Sequence, residues 1–393
     1  MISGVVGEED VVSAWQGGAR TLAVDPAAVI TVSAREAAER LGVELRIGPL
    51  EQPAPAATNG PTAARRLLYR RHPGWVAPHA PRGLTPRRLD RVAVVGAGGV
   101  GANTAHLAAT ADIAAEVALI DLVPGLAESV ALDLMHASGI TRSPTKVIGG
   151  TGLEMVAGAD VVVITAGRPR GAGMSRRDLT DVNGRVVRAI AEQVAAHAPD
   201  AVVVVVTNPL DEMTLAAQVA TGFHRQRVLG MAGTLDSSRF RHQLAAAAGV
   251  TPADVIAFTL GSHGKEMVPI TSTATISGRP LATVLDRVAI DRAVTETING
   301  GAAVVALRRT GSATIAPAHA IIEVLDGIRG ATAGPIPVSV LLDGEYGIEG
   351  VVVGVPCLLG RRGVIEVVEL DLAPDELARL RAAADSVRDR SGV

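Results

Sequence analysis

The stretch VAVVGAGGVG, residues 92–101, sets Gly96, Gly98 and Gly101 directly after an apolar run. A strand that ends on backbone so stripped of side chains must turn at once into a closely packed helix. The first glycine permits the tight turn, the second opens the backbone to an approaching pyrophosphate, and the third lets helix and strand pack closely. The phosphates then meet the free N–H groups and the positive end of that helix. Three glycines alone are a weak signal in a chain that has 43. Asp121 strengthens it, because it ends the next apolar run, VALIDL, twenty residues after Gly101. An acid there hydrogen-bonds a ribose 2′-hydroxyl and repels a 2′-phosphate. The pattern predicts an NAD site, preferred over NADP, lined by Gly96, Ala97, Gly98, Gly99, Val100, Gly101 and Asp121.

Around this motif, short Val/Ile/Ala runs alternate with helical stretches. RVAVVG, EVALID, KVIGG, DVVVITAG, AVVVVVTNP and RVLGMAG are separated by segments such as 126–137 and 178–196. Six strands with crossover helices predict a doubly wound α/β, parallel-sheet (Rossmann) domain over residues 91–232. Aromatic residues make up only 2% of the chain, so the core must be built from Ala, Val, Leu and Ile, as a sheet buried on both faces requires. Over 233–393 the rhythm changes. Helices near 235–248, 291–309, 315–326 and 374–390 surround extended segments near 255–260, 336–342, 351–355 and 363–368, which predicts a mixed α+β substrate domain.

The first ninety residues differ from both. Residues 1–48 contain TLAVDPAAVITVSAREAAERLGVELRI, a strand-helix-strand appendage, with Ser33 and Glu36 at capping-box spacing and Gly42 placed to end the helix. Residues 49–90 are a linker, Pro/Ala-rich and then basic. That basic stretch lacks interleaved aromatics beyond Tyr69 and Trp75, so it reads as a solvated tether and not as a nucleic-acid surface. The net charge of −3 gives no general case for nucleic acid or membrane. No apolar run approaches the ~20 residues of a membrane span, and the N-terminus has neither the basic nor the apolar region of a signal peptide. The single cysteine, Cys357, sits in the apolar run VVVGVPCLL and suits a reducing, cytoplasmic setting. No metal ligands are assigned.

Three further motifs stand at the ends of later strands, where an open α/β sheet collects its ligands. VVVTNP delivers Asn208. MAGTLDSSRF carries Asp236 and Arg239 three apart, hence on one helix face. TLGSHGKEMVP presents His263 between glycines on a tight turn. A histidine beside a carboxylate exchanges a proton near neutral pH while the carboxylate fixes its tautomer. Arginine suits carboxylate recognition, since its planar fork makes two parallel hydrogen bonds. Four arginines also crowd the glycine-broken segment TAGRPRGAGMSRRDL, residues 165–179. Taken singly, each feature is common in purely structural roles.

Together, GAGGVG, LIDL, TAGRPRGAGMSR, VTNPLD, LDSSRFR and GSHGKEMVP resemble the lactate/malate dehydrogenase family, and within it the lactate-dehydrogenase-like malate dehydrogenases. The resemblance runs from about residue 90 to the C-terminus and includes TGSATIAPAHA and GEYGIEGVVVGVPCLLGRRGV. It implies an NAD-dependent oxidoreductase interconverting (S)-malate and oxaloacetate, and a homo-oligomer, dimer or tetramer. His263 becomes the proton donor and acceptor, oriented by Asp236. Arg239 clamps the substrate's C1 carboxylate. Arg176 polarises the reacting carbonyl from a lid hinged on Gly171 and Gly173, and Asn208 hydrogen-bonds the same oxygen. Arg170 takes the specificity position, where malate enzymes carry Arg and lactate enzymes Gln. Asn183 and the backbone of Val206, Thr207 and Asn208 match cofactor contacts.

The alternatives are a dehydrogenase for lactate or another 2-hydroxy acid, and a non-catalytic NAD-binding scaffold subunit. Arg170 argues against the first. The joint presence of His263, Asp236, Arg239 and Arg176 argues against the second. Two departures from the family pattern stand out. Lys265 follows the catalytic turn, where it either points inward and lowers the imidazole pKa or faces solvent. The N-terminal extension is the other; its AVITVSAREAAERLGVEL resembles a short module on enzymes associated with bacterial microcompartments, which implies a microcompartment or protein partner.

Overall fold

The computed structural model describes residues 4–16, 21–47, 87–168, 176–309, 311–332 and 334–391, with backbone alone at 176 and 177. Two compact units divide the chain, one up to Ala64 and one from Arg65 onward.

The smaller unit contains β1 (Val5–Val6), a helix Glu8–Gln16, β2 (Thr21–Val24), β3 (Val29–Ile30), a helix Val32–Leu41 and β4 (Glu44–Ile47). Two parallel pairings, β1 with β3 and β2 with β4, cover a small core of Val6, Val11, Val24, Ala34, Ala37, Ala38 and Val43. The strand-helix-strand pattern is present, but β1 and the helix Glu8–Gln16 precede it. Ser33 is not the helix cap. Thr31 caps instead, accepting the Ala34 N–H at 3.2 Å and donating to the Val6 carbonyl at 3.0 Å. The second bond ties the helix start to β1, a long-range contact that local spacing cannot reveal. Gly42 ends the helix as anticipated, at φ 66°.

The larger unit is built on β5 (Leu89–Val95), β6 (Ala114–Ile120), β7 (Lys146–Gly150), β8 (Val161–Ile164), β9 (Val202–Val205), β10 (Val228–Gly230), β11 (Val255–Gly261), β12 (Met267–Ile276), β13 (Arg279–Pro280), β14 (Ile336–Asp343), β15 (Glu349–Gly360) and β16 (Gly363–Val367). One half of the sheet is parallel, in the order β10-β9-β8-β5-β6-β7. The order reverses between β5 and β8, which opens a crevice at their carboxyl ends. Every residue of β8 and β9 is fully buried. These all-Val/Ile strands are covered on both faces, and each such side chain contributes about 1.5 kcal/mol or more of burial energy before chain entropy is charged against it.

The other half is antiparallel, β13-β12-β11-β15-β14 with β16 on β15. The halves share one hydrogen-bonded layer, because Gly230 of β10 pairs with Ser339 of β14. Likewise Gly261, at the end of β11, pairs with Gly354 of β15. The sequence pattern leaves β12 unassigned; its MVPITSTATI is the long partner of β11. The helix expected near 291–309 spans Arg287–Arg308, because Asp286 accepts the Ala289 N–H at 2.8 Å and adds a turn.

The linker boundary also moves. Leu89 and Asp90, placed in the basic linker by composition, open β5, where Leu89 pairs with Ala114 and is 1% exposed. Arg88 joins the same unit through an ion pair with Asp112 at 2.6 Å. The run of arginines hides the single apolar residue that begins the sheet.

Candidate active site

The glycine turn follows β5 into the helix Gly99–Thr110. Gly96 lies at φ +109°, and a Cβ there would meet the Ala166 backbone nitrogen at 2.7 Å. A Cβ on Gly101 would fall 1.7 Å from the Gly96 carbonyl oxygen, so only glycine lets the helix approach the strand this closely. Gly98 differs, since nothing lies within 4 Å of its Cβ position and the residue is exposed. The turn therefore holds an open concavity at a helix N-terminus, the shape and polarity that suit a pyrophosphate. Asp121, at the end of β6, accepts the Ala97 N–H at 2.7 Å and the Val123 N–H at 2.9 Å. Its carboxylate thus braces the glycine turn and stands at the mouth of the same crevice.

The catalytic candidates meet on the antiparallel side. His263 sits in the turn between β11 and β12, and Asp236 in the first turn of the helix Gly233–Ala248. His263 Nδ1 lies 2.7 Å from Asp236 Oδ2, and Arg239 Nη1 donates to Asp236 Oδ1 at 2.7 Å. One carboxylate, 2% exposed, therefore orients both the imidazole and the guanidinium. With Nδ1–H on Asp236, Nε2 is the atom left to exchange a proton. Burial disfavours the imidazolium, but the charge and hydrogen bond of Asp236, together with the charge of Asp211, outweigh both burial and the opposing Arg239. The net effect raises the His263 pKa above its ordinary value. Arg239 spends one N–H on Asp236, and the rest of its fork remains for a carboxylate. Lys265 is exposed and so takes the solvent-facing alternative.

Asn208 follows β9 and is exposed at the crevice. Asn183 is 1% exposed, and its amide donates to the Arg168 carbonyl at 3.1 Å and the Asn208 carbonyl at 2.7 Å, while its oxygen accepts the Arg168 N–H at 2.8 Å. Asn183, expected as a cofactor contact, holds together the two chain segments that follow β8 and β9. Thr207 turns its hydroxyl inward, onto the Ile164 and Ala166 carbonyls. Arg176 begins the helix Arg176–His197, but its side chain lies outside the described residues, as does all of Arg170.

Two neighbours carried no site assignment in the sequence. A Cβ on Gly99 would meet Thr314 Cγ2 at 2.6 Å, so Thr314 closes one side of the nucleotide turn. Asp211 accepts the His263 backbone N–H at 3.1 Å. Only its place in VTNPLD, three residues after Asn208, pointed toward it. Among the described residues, no group of three or more His, Cys, Asp or Glu is placed to hold a metal ion.

Comparison with known proteins identifies both halves of the larger unit. Residues 90–230 match the family model for the lactate/malate dehydrogenase NAD-binding domain, and residues 233–390 match that for the family's α/β C-terminal domain. The malate dehydrogenase of Trichormus variabilis is 46% identical over 301 residues, 77% of this chain and 93% of that protein. The structure of Salinibacter ruber malate dehydrogenase superposes with a TM-score of 0.72 at 38% identity, covering 76% of this chain and 96% of that one. The Cryptosporidium parvum lactate dehydrogenase complexed with lactic acid and nicotinamide adenine dinucleotide gives a TM-score of 0.75 at 35% identity, over 78% and 98% of the two chains. Shape alone therefore does not separate the two substrates.

Proposed function

This chain belongs to the lactate/malate dehydrogenase family, and from that membership we infer that it is an NAD-dependent malate dehydrogenase, interconverting (S)-malate and oxaloacetate. The observation that carries the reading is the His263–Asp236–Arg239 cluster, joined by two 2.7 Å contacts and set on the same sheet as the glycine turn. Its relatives in sequence are malate dehydrogenases, at 40–46% identity.

NAD, when bound, would supply the hydride acceptor for C2 of malate, and NADH the hydride donor for oxaloacetate. The glycine turn and the Gly99–Thr110 helix N-terminus hold the pyrophosphate, and Asp121 takes the ribose hydroxyls. Arg239 binds the C1 carboxylate. In malate oxidation, His263 Nε2 takes the hydroxyl proton, and Asp236 stabilises the imidazolium that results. In the reverse direction the imidazolium gives that proton to the carbonyl oxygen. Asn208 and Arg176 act on this oxygen, and Arg170 pairs with the second carboxylate. NADH oxidation followed at 340 nm with oxaloacetate, with pyruvate and without substrate tests the assignment. The oxaloacetate rate should dominate, whereas a larger pyruvate rate would move the chain to the lactate side of the family.

Asp121→Ala should raise the KM for NADH by about ten-fold or more, the worth of a hydrogen bond to a charged group. It should also improve NADPH relative to NADH, because a negative charge no longer opposes the 2′-phosphate. Wild-type use of both cofactors at equal efficiency would remove Asp121 from the ribose site.

The appendage serves no step of this chemistry. Deletion of residues 1–64 should leave kcat within about three-fold, a change under 1 kcal/mol in the barrier. The cut falls at the unit boundary and spares Arg88 and Leu89, which are anchored in the catalytic unit. A folded truncation without activity would mean that the appendage helps to build the site. For the catalytic unit we read a homo-oligomer, and for the appendage a protein partner, on the grounds of family and resemblance. No described helix is long and apolar enough to cross a membrane, and a cytoplasmic setting fits the single buried thiol, Cys357.

A further inference from the structure

Beside the His263 turn lies a carboxylate that the chemistry above does not use. Asp211, in the first turn of the helix Leu210–Thr221, is 1% exposed. Its Oδ2 accepts the Ser262 hydroxyl at 2.8 Å and the His263 backbone N–H at 3.1 Å, and its Oδ1 accepts the Ser339 hydroxyl at 2.8 Å. These donors come from the β11–β12 turn and from β14, so one side chain ties the catalytic turn to the strand that joins the two halves of the sheet. Among the described residues, no Lys or Arg is paired with Asp211.

Neutral donors satisfy its lone pairs without neutralising its charge. Such a buried anion is costly and is retained where something repays it. Burial accordingly raises the Asp211 pKa, against the opposing hydrogen bonds of Ser262 and Ser339; the neighbouring Glu212 raises it further, and His263 lowers it. A second layer braces the same turn. Arg390, on the helix Pro374–Ser391, donates to Ser262 Oγ at 3.0 Å, to Glu212 at 2.8 Å and to Glu266 at 2.6 Å. Arg390 therefore spends its charge on those two glutamates and reaches Asp211 only through the serine hydroxyl. The charged groups about the turn are Asp236 and Arg239 from one helix, Asp211 and Glu212 from a second, Arg390 from a third, and Glu266 with the exposed Lys265 on the turn itself. The cation left to answer Asp211 is the imidazolium that His263 becomes during turnover.

We propose that Asp211 is a positioning residue for His263, holding its turn through the backbone N–H and supplying a second negative charge, beside that of Asp236, that favours the imidazolium. The inference rests on His263 being the proton-exchanging group, as assigned above.

Asp211→Asn is the sharpest test. It preserves shape, keeps an oxygen to accept from Ser262 and the His263 N–H, removes the charge, and reverses the Ser339 contact so that the amide donates to that hydroxyl. NMR titration of the His263 imidazole, identified by its loss in His263→Asn, should show the midpoint displaced to lower pH in Asp211→Asn. The pH profile of kcat/KM for oxaloacetate should shift the same way, with a low-pH plateau within about three-fold of wild type. Should Asp211→Asn fail to fold, Ser339→Ala makes the same test. It withdraws one hydrogen bond from the carboxylate, favours its protonation and should displace the midpoint in the same direction. A His263 midpoint unmoved in a folded variant overturns the proposal. Because the titration needs no turnover, it separates failure of this inference from failure of the assigned activity.

Discussion

Replacing His263 with Asn should cut oxaloacetate reduction by about 10²–10⁴-fold while leaving NADH affinity near wild type. That range is what a positioned general acid contributes to a proton-transfer step. The asparagine amide can still donate to Asp236, whose other oxygen continues to hold Arg239 at 2.7 Å, so the substrate clamp should survive. Loss of the ionisable Nε2 is then the main change. Stopped-flow turnover with NADH fluorescence titration checks both halves, and near-normal activity would remove His263 from the chemistry. The wild-type pH dependence has a fixed sign. The His263 pKa is raised, with burial opposing and Asp236 and Asp211 prevailing. Oxaloacetate reduction needs the imidazolium, so its kcat/KM should be full at low pH and fall as pH rises through that raised pKa. Malate oxidation needs the neutral ring and should rise through the same midpoint.

Arg170→Gln should cut kcat/KM for oxaloacetate by about 30-fold to several-thousand-fold and raise turnover of pyruvate. The range corresponds to ~2–5 kcal/mol for truncating one partner of a desolvated charge pair. Pyruvate has a methyl group where oxaloacetate carries its second carboxylate, and a neutral glutamine no longer leaves an unpaired guanidinium facing it. Arg176→Gln should slow both substrates, because the carbonyl on which it acts is common to both. The two variants separate recognition from chemistry within six residues of one segment. An unchanged oxaloacetate-to-pyruvate ratio in Arg170→Gln would remove the residue that distinguishes malate from lactate in this reading.

What the sequence discloses divides along physical lines. The parallel half is legible because β8 and β9 are pure Val/Ile runs bounded by glycine, proline and polar residues, a pattern that buried strands cannot avoid. His263, Asp236 and Arg239 stand out in the sequence by residue type and motif, and the 2.7 Å contacts bring them together across 27 residues of sequence. Contacts set by tertiary structure were not legible. Thr31 wins the cap over Ser33 because Val6 lies beside it. The strand β12 hides behind Pro269 and four Thr/Ser residues, of which Thr271 and Ser272 bond Glu376 of the C-terminal helix and Thr275 pairs with Ile256 of β11. Asp211 resembles any acid in the first turn of a helix, a place where acids are favoured for the dipole alone. Only its burial and its bond to the His263 backbone distinguish it.

The single pairing of Gly230 with Ser339 fuses the nucleotide-binding and substrate-binding halves into one layer. To expose the catalytic turn by local opening, β11 must be stripped from both β12 and β15, and β15 is anchored in turn on β14. The turn is therefore held by a strand paired on both sides, unlike a loop at a sheet edge. The nucleotide turn and the catalytic turn thus hang on one continuous hydrogen-bonded layer.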